Sequence, residues 1–136
     1  MPRPIPNDDE IQYDGTTMIT ETDKEGLITF ANRKFVQMSG YEKGELIGRS
    51  HNIMRHPDMP KKIFKEMWAS IRQGDAWKGY IKNLRKDGSF YWAVVFISPK
   101  HDENGNLNGF IAAREIPGEQ TLETVKAKYA EYKAEE

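Results

Sequence analysis

The chain has 136 residues, with 20 lysines and arginines against 21 aspartates and glutamates, which gives a formal net charge of -1 at pH 7. This length predicts one domain, and the balanced charge argues against binding to nucleic acid or acidic lipid. The absence of cysteine excludes disulfides, thiolate metal sites and cysteine nucleophiles. No apolar run approaches the ~18 residues of a transmembrane helix, and the N-terminus lacks the apolar core of a signal peptide. We therefore expect a cytoplasmic domain without membrane insertion, whose partner is a small neutral ligand or a protein.

The first half of the chain predicts an arm, a β-hairpin and short helices. Residues 1–15, with three prolines and an acidic triplet, predict a flexible or loosely docked arm. The β-branched stretch 16–23 and the apolar stretch 27–31 predict a hairpin. From Asn32 the apolar residues follow a helical period, which predicts a short helix that ends at Gly40, and EKGELIG predicts one more helical turn.

The second half predicts a longer helix and three strands. The apolar residues of KKIFKEMWASIRQG form one helical stripe, and Asp58 is the predicted N-cap of this helix. WKGYIKNLR, SFYWAVVFIS and LNGFIAAREI have strand character, and the turns KDG and HDENGN favour hairpins between them. These elements predict an α+β fold for residues 16–116, with a five-stranded antiparallel sheet and short helices on one face. Residues 117–136 predict an exposed amphipathic helix or linker that docks on another surface.

Asn83 fits the predicted sheet poorly because it is polar on an apolar face. The period-two pattern places it on the inner face with Trp77, Gly79 and Ile81, and places the lysines on an outer face that meets solvent. A buried amide without a partner costs about 1–3 kcal/mol, so Asn83 needs a partner inside. That partner is either local backbone or the polar edge of a ligand. Since Gly79 and Ala93 leave room on the inner face, we expect a ligand pocket there.

The strand SFYWAVVFIS is apolar on both faces. One face borders the expected pocket. The other face must then be covered by the arm, by the tail helix or by a partner chain.

The segment SHNIMRHPDMP, residues 50–60, combines two histidines with an arginine and an aspartate. His51 and His56 lie five residues apart, which does not match the i, i+4 spacing of paired helical ligands, so no metal site is predicted. The sequence contains no triad order, nucleophile elbow or phosphate loop, and we do not expect an enzyme. Arg55 and His56 remain as donors for an anionic or carbonyl-bearing ligand.

The order of elements, with RKDGSFYW and DENGNLNGFI, resembles a PAS sensor domain from about Thr16 to Glu115. Within that family, FVQMSGY, HNIMRHPDMP and WKGYIKNLRKDG resemble the PAS domain of bacterial aerotaxis receptors, which hold FAD and report cell redox state. The resemblance implies that Asn83 meets the flavin ring and that Trp77 borders the pocket. It implies a further set of cofactor-binding residues: Asn32, His51, Asn52, Arg55, His56 and Asp58.

The sequence is also similar to light-sensing LOV flavin domains, whose IxNxRKDG matches IKNLRKDG and again puts Asn83 at the ring. His51 occupies the position of their photoactive cysteine, Ala93 that of their second ring-binding asparagine, and Arg114 that of their switching glutamine. Without a thiol no flavin-cysteinyl adduct can form, so redox sensing is expected instead. Arg114 beside the ring would stabilise added negative charge on a reduced flavin, which makes it a candidate cofactor-binding residue.

The resemblance implies a redox or oxygen sensor for aerotaxis or energy taxis that binds FAD, with FMN less expected. Rearrangement around the flavin would alter the docking of the arm or the tail helix and signal to a chemotaxis transducer module in the same chain or in a partner. One alternative is a heme-binding gas sensor with His51 or His56 as iron ligand. Another is a ligand-free interaction module that forms a homodimer through its apolar outer face. The chain is either a stand-alone protein or a fragment of a receptor tethered to the inner membrane.

Overall fold

The computed structural model describes residues 3–136. Its strands are β1 (Met18–Thr22), β2 (Ile28–Ala31), β3 (Trp77–Leu84), β4 (Phe90–His101) and β5 (Leu107–Glu115). Its helices are α1 (Arg33–Ser39), α2 (Lys43–Leu46), α3 (Lys61–Arg72) and α4 (Glu119–Ala134), with a 3-10 helix (His51–Met54) between α2 and α3. The strands form one antiparallel sheet in the order β2-β1-β5-β4-β3. The predicted α+β fold, with five antiparallel strands and short helices, is confirmed.

Local sequence explains where α1 begins and ends. The Asn32 side chain accepts a hydrogen bond from the Phe35 amide at 3.0 Å, which satisfies one of the free N–H groups of the first turn. Gly40 ends the helix with φ of 77°, a left-handed conformation that glycine adopts without a Cβ penalty. The helix therefore packs the fully buried Phe35 against the inner face of the sheet.

The outer face of the sheet is covered on its β3–β4 side by α4 and by the N-terminal arm. Burial raises the pKa of Tyr129 to about 12, and its protonated hydroxyl donates to the Tyr80 carbonyl oxygen at 2.7 Å. The arm pairs with the start of β4, where the Ile11 amide donates to the Phe90 carbonyl oxygen at 2.8 Å. Trp92 is consequently buried beneath α4. Of the three predicted covers, the arm, the tail helix and a partner chain, the structure shows the first two on this side of the face; residues 1 and 2 of the arm lie outside the described part.

Two expectations about the outer face and the following helix are wrong. The lysine-bearing face of β3 does not simply meet solvent, since Leu84 on that face is 1% exposed. Asp58 does not cap α3, because Pro60 occupies the N-cap position without a side-chain hydrogen bond. The Asp58 carboxylate instead accepts a hydrogen bond from Lys82 Nζ at 3.1 Å, across to β3.

Among residues 3–136, no helix is long and apolar enough to cross a membrane.

The space expected beside Gly79 is occupied by the indole of Trp77. A Cβ built on Gly79 would lie 2.1 Å from Cη2 of Trp77. The glycine therefore makes room for the indole rather than for a ligand. This packing keeps Trp77 off the wall of the inner cavity described below.

Replacing Gly79 with alanine is expected to lower the free energy of unfolding by about 1–3 kcal/mol, because the added methyl group must displace the indole. Chemical denaturation measures this effect. The matched control is Gly44→Ala in α2, where a Cβ meets nothing within 4 Å. A control variant as unstable as Gly79→Ala would contradict the steric explanation.

Candidate ligand-binding site

A cavity lies between the inner face of the sheet and the helices. Most of its wall is apolar, with contributions from Phe64, Met67, Ile71, Ile81, Val95, Ile97 and Phe110. A few polar side chains converge on this apolar wall, which is the usual composition of a small-molecule site. The polar members are Thr20, Thr22, His51, Asn52, Arg55, Asn83 and Arg114. The structure thus brings together five of the nine residues predicted from the sequence: His51, Asn52, Arg55, Asn83 and Arg114.

Asn32 does not reach the cavity wall because its side chain links β1 to α1. Its Oδ1 accepts hydrogen bonds from the amides of Ile19, at 3.2 Å, and Phe35, at 3.0 Å. Its Nδ2 donates to the Thr17 carbonyl oxygen at 2.9 Å. These three bonds use Asn32 as a structural cap.

His56 and Asp58 lie on the other side of the sheet edge from the cavity. His56 Nδ1 accepts a hydrogen bond from the Asp58 amide at 3.0 Å, and its ring stands edge-on to Phe90, a residue of the outer face. Burial, together with the Lys82 ammonium, holds the pKa of His56 below its usual value. A neutral His56 with Nδ1 as acceptor therefore stabilises the turn before α3.

The backbone explains why neighbouring residues face opposite ways here. Arg55 forms an antiparallel bridge with Asn83, and the His56 amide donates to the Lys82 carbonyl oxygen at 3.3 Å. Successive side chains along such a pairing point to opposite faces. Arg55 and Asn83 accordingly reach the cavity, while Lys82 lines the groove beneath α4 and the His56 ring packs against Phe90 of the outer face.

Arg114 is the most deeply buried charged group of the cavity, with 4% of its surface exposed. Its Nη1 donates to Thr20 Oγ1 at 2.8 Å and to the Ala112 carbonyl oxygen at 3.1 Å. Its Nη2 lies 2.9 Å from His51 Nε2, and its guanidinium lies over the Phe35 ring. Burial lowers the pKa of Arg114 to about 10, so it stays charged at neutral pH.

His51 is held neutral by its surroundings. Burial, reinforced by the positive charge of Arg114, lowers the pKa of His51 to about 3. Because Arg114 has only N–H donors, the Nε2 atom of His51 acts as acceptor and the ring proton sits on Nδ1. The arrangement gives Arg114 a neutral partner, which leaves its charge uncompensated.

Arg55 brings a second guanidinium to the cavity wall, 3.7 Å above the centre of the Phe64 ring. Arg3 in the arm donates to the carbonyl oxygens of Asn52 and Arg55, which ties the arm to this segment. Within the described chain, Arg55 Nε and Arg114 Nε are buried and have no hydrogen-bond partner. No aspartate or glutamate of residues 3–136 lines the cavity. Its wall therefore favours a ligand that carries negative charge or several acceptor atoms.

Asn83 has an interior partner, as predicted, and that partner is a side chain. Its Nδ2 donates to the hydroxyl oxygen of Tyr91 at 3.3 Å, while its Oδ1 accepts no hydrogen bond from residues 3–136. The sequence prediction missed Tyr91 and Thr20 as members of the polar network. The strand pattern does place Tyr91 on the inner face, opposite Asn83, so this cross-strand pair could have been predicted from the sequence.

One sheet, with helices packed over a walled cavity on its inner face, defines a class of small α+β domains. A family model named PAS_3 and described as the PAS fold matches residues 28–114. The chain belongs to this family.

Curated relatives come from signalling proteins. The chain is 40% identical over 116 residues to the aerotaxis receptor of Escherichia coli strain K12, a match that covers 85% of this chain and 23% of the receptor. It is 31% identical over 106 residues to the nitrogen fixation regulatory protein of Klebsiella pneumoniae, with 77% of this chain and 21% of that protein covered. The chain thus spans less than a quarter of the length of these relatives.

Solved structures with the same fold include LOV and PAS domains. The light-state structure of the blue-light photoreceptor Aureochrome1 LOV has a TM-score of 0.72 at 20% identity, covering 82% of this chain and 89% of that one. The PAS domain of a protein from Colwellia psychrerythraea has a TM-score of 0.66 at 28% identity, covering 74% of this chain and 86% of that one. The resemblance to PAS domains predicted from the sequence is confirmed.

Proposed function

We propose that this chain is a flavin-binding redox sensor domain that holds FAD in the inner cavity. The observation that carries the proposal is the pair of guanidinium groups on the cavity wall, each with an unpartnered buried Nε and neither matched by a carboxylate of that wall. A flavin nucleotide offers phosphate oxygens and a ring edge rich in acceptors, so the donor set fits it. The likeness to an aerotaxis receptor supports a role in energy taxis.

Each polar residue of the wall has a distinct task in this proposal. Asn83 presents an amide to the polar edge of the ring, and Arg55, at the arm side of the cavity, binds a phosphate. Arg114 favours negative charge on the ring, and the neutral His51 orients the Arg114 guanidinium through Nε2. A bound flavin would supply reversible acceptance of electrons. This chain has no cysteine pair that could do so instead.

The proposed output is a change in how α4 and the arm are held against the sheet. Arg55 and Asn83 on the cavity side are consecutive with His56 and Lys82 on the α4 side. Because the packed sheet transmits displacements, rearrangement in the cavity alters the groove under α4. We propose that a chemotaxis transducer module, in the same chain or in a partner, responds to this change in the cytoplasm.

Identification of the bound cofactor tests the proposal. The full chain is purified from cells grown without added cofactor, its visible spectrum is recorded, and the cofactor released on denaturation is compared with FAD and FMN by chromatography. We expect two broad flavin bands and release of FAD. Asn83→Ala should raise the flavin Kd roughly tenfold, the equivalent of one or two lost hydrogen bonds. Asn104→Ala, the same change in the exposed β4–β5 turn, is the matched control.

Three other outcomes would correct the proposal or replace it with an alternative. A sharp Soret band would identify a heme protein, although His51 Nε2 is engaged by Arg114 and His56 lies off the cavity wall. Release of FMN would retain the flavin site and correct the nucleotide. A colourless protein that binds no added flavin would leave a ligand-free interaction module, although α4 and the arm cover the apolar outer face on its β3–β4 side.

A further inference from the structure

We propose that Tyr91 is a positioning residue for the Asn83 side chain, and that it turns the amide oxygen of Asn83 towards the cavity to accept a hydrogen bond from an N–H group of the ligand. This inference rests on the proposed function and deepens it, since it names the chemistry of the ligand edge that meets β3. An imide N–H flanked by carbonyl groups, as in the pyrimidine part of a flavin, is the edge it selects.

The backbone register forces the contact between the two side chains. Asn83 in β3 is paired directly with Tyr91 in β4, and directly opposite residues project to the same face with their Cβ atoms about 4.5–5.5 Å apart. Tyr91 is 1% exposed, so its hydroxyl has no route to bulk water. The Tyr91 oxygen therefore stays beside Asn83, and it accepts from Nδ2 at 3.3 Å.

The free end of the amide faces the cavity. Asn83 lines the cavity, and its Oδ1 accepts no hydrogen bond from residues 3–136. Among residues 3–136, the fully buried side-chain polar atoms without a hydrogen-bond partner are Arg55 Nε and Arg114 Nε. Asn83 Oδ1 also has no partner but is not one of these atoms, so it keeps some accessible surface. Since Asn83 as a whole is 4% exposed, that surface opens into the cavity.

The charge of the cavity wall favours the same orientation. Arg55 and Arg114 make the wall positive, and no carboxylate of the described chain lines it. A positive environment stabilises the amide with its oxygen inward and its nitrogen outward. Burial raises the pKa of Tyr91, which keeps the hydroxyl protonated and uncharged next to Nδ2.

The first measurement needs no ligand. In the ligand-free full chain, nuclear magnetic resonance should show contacts from the Asn83 side-chain NH2 protons to the Tyr91 ring, and Tyr91→Phe should shift those proton signals. Contacts from the NH2 protons to Arg114 or His51 would mean that nitrogen faces the cavity, which overturns the inference. This measurement remains valid even if flavin fails to bind. Failure of flavin to bind would contradict the proposed function but not the orientation of the Asn83 amide.

The second measurement compares a flavin with its N3-methylated analogue, which lacks the imide N–H. In the wild type, methylation should raise Kd roughly 2- to 13-fold, as expected for one neutral hydrogen bond. The penalty should shrink in Tyr91→Phe, where the amide is no longer held. The matched control is Tyr129→Phe, which also removes a tyrosine hydroxyl but one bonded to Tyr80 outside the cavity. An equal methylation penalty in the wild type and Tyr91→Phe would show that Tyr91 does not set the amide, and would overturn the proposal.

Discussion

Replacing Arg114 with methionine is expected to stabilise the ligand-free protein while it weakens flavin binding. The guanidinium is buried, its hydrogen-bond partners are neutral, and its Nε has none. Burial of a charge without an opposite charge is costly, and an apolar side chain of similar length removes that cost. We expect the free energy of unfolding to rise by about 1 kcal/mol or more, measured by chemical denaturation.

The same variant should raise the flavin Kd roughly 10- to 100-fold, because a charged hydrogen-bond donor is lost. It should also lower the midpoint potential of bound flavin by roughly 30–60 mV, where 30 mV corresponds to about 1.4 kcal/mol for two electrons. Spectroelectrochemistry measures this shift, and Arg114→Lys, which keeps the charge, should retain most of the potential.

Arg85→Met provides the contrasting control for the stability measurement. The Arg85 side chain donates to the Met38 carbonyl oxygen at 2.6 Å and lies 3.4 Å from the Asp87 carboxylate, so its charge is compensated. Its loss should destabilise the protein and leave flavin binding unchanged. If Arg114→Met proved as destabilising as Arg85→Met and did not alter flavin affinity, Arg114 would be a structural residue.

Acidification below pH 6.5 is expected to destabilise the protein through His51. Its pKa is about 3 in the folded state against 6.5 as the ordinary value, so between these values the unfolded chain binds an additional proton. The contribution of His51 to the free energy of unfolding is therefore fully present above pH 6.5 and is lost as pH falls, at up to about 1.4 kcal/mol per pH unit. The depressed pKa of His56 acts in the same direction.

Denaturation curves at pH 6.5 and pH 4.5 measure the effect, which should reach at most about 2.7 kcal/mol for His51. His51→Gln should flatten the pH dependence, since an amide oxygen accepts from Arg114 at either pH. His101→Gln, at an exposed position where β4 ends, is the control for the loss of a histidine as such. Equal slopes for the wild type and His51→Gln would show that another group controls acid stability.

Local sequence signals were sufficient for most of the fold. Gly40 and the turns KDG and HDENGN mark the ends of elements because their conformations depend on few neighbours. The two apolar faces of β4 predicted a covered outer face for a general reason, since apolar surface is rarely left to solvent. The identity of the cover, α4 together with the arm, follows from long-range packing.

The candidate site was predictable only in part, because side chains near the cavity are also recruited for local structure. Asn32 matches the family motif, yet its hydrogen bonds join β1 to α1. Trp77 folds back over Gly79, which strand alternation alone cannot reveal. Asp58 precedes a helix but forms an ion pair with Lys82, a residue 24 positions away. Asn83 was found because a polar residue on a buried face requires an explanation, whereas Arg114 was found only through the similarity to LOV domains.

The edge of β3, where Arg55 and Asn83 face inwards and His56 and Lys82 outwards, separates the inner cavity from the outer face by a single layer of backbone. Equilibria on opposite sides of so thin a partition are thermodynamically linked, and linkage is reciprocal. If a ligand in the cavity changes the equilibrium constant for docking of α4 by some factor, docking of α4 changes the affinity for that ligand by the same factor. The sensitivity of such a domain is thus set on its output side as much as on its input side.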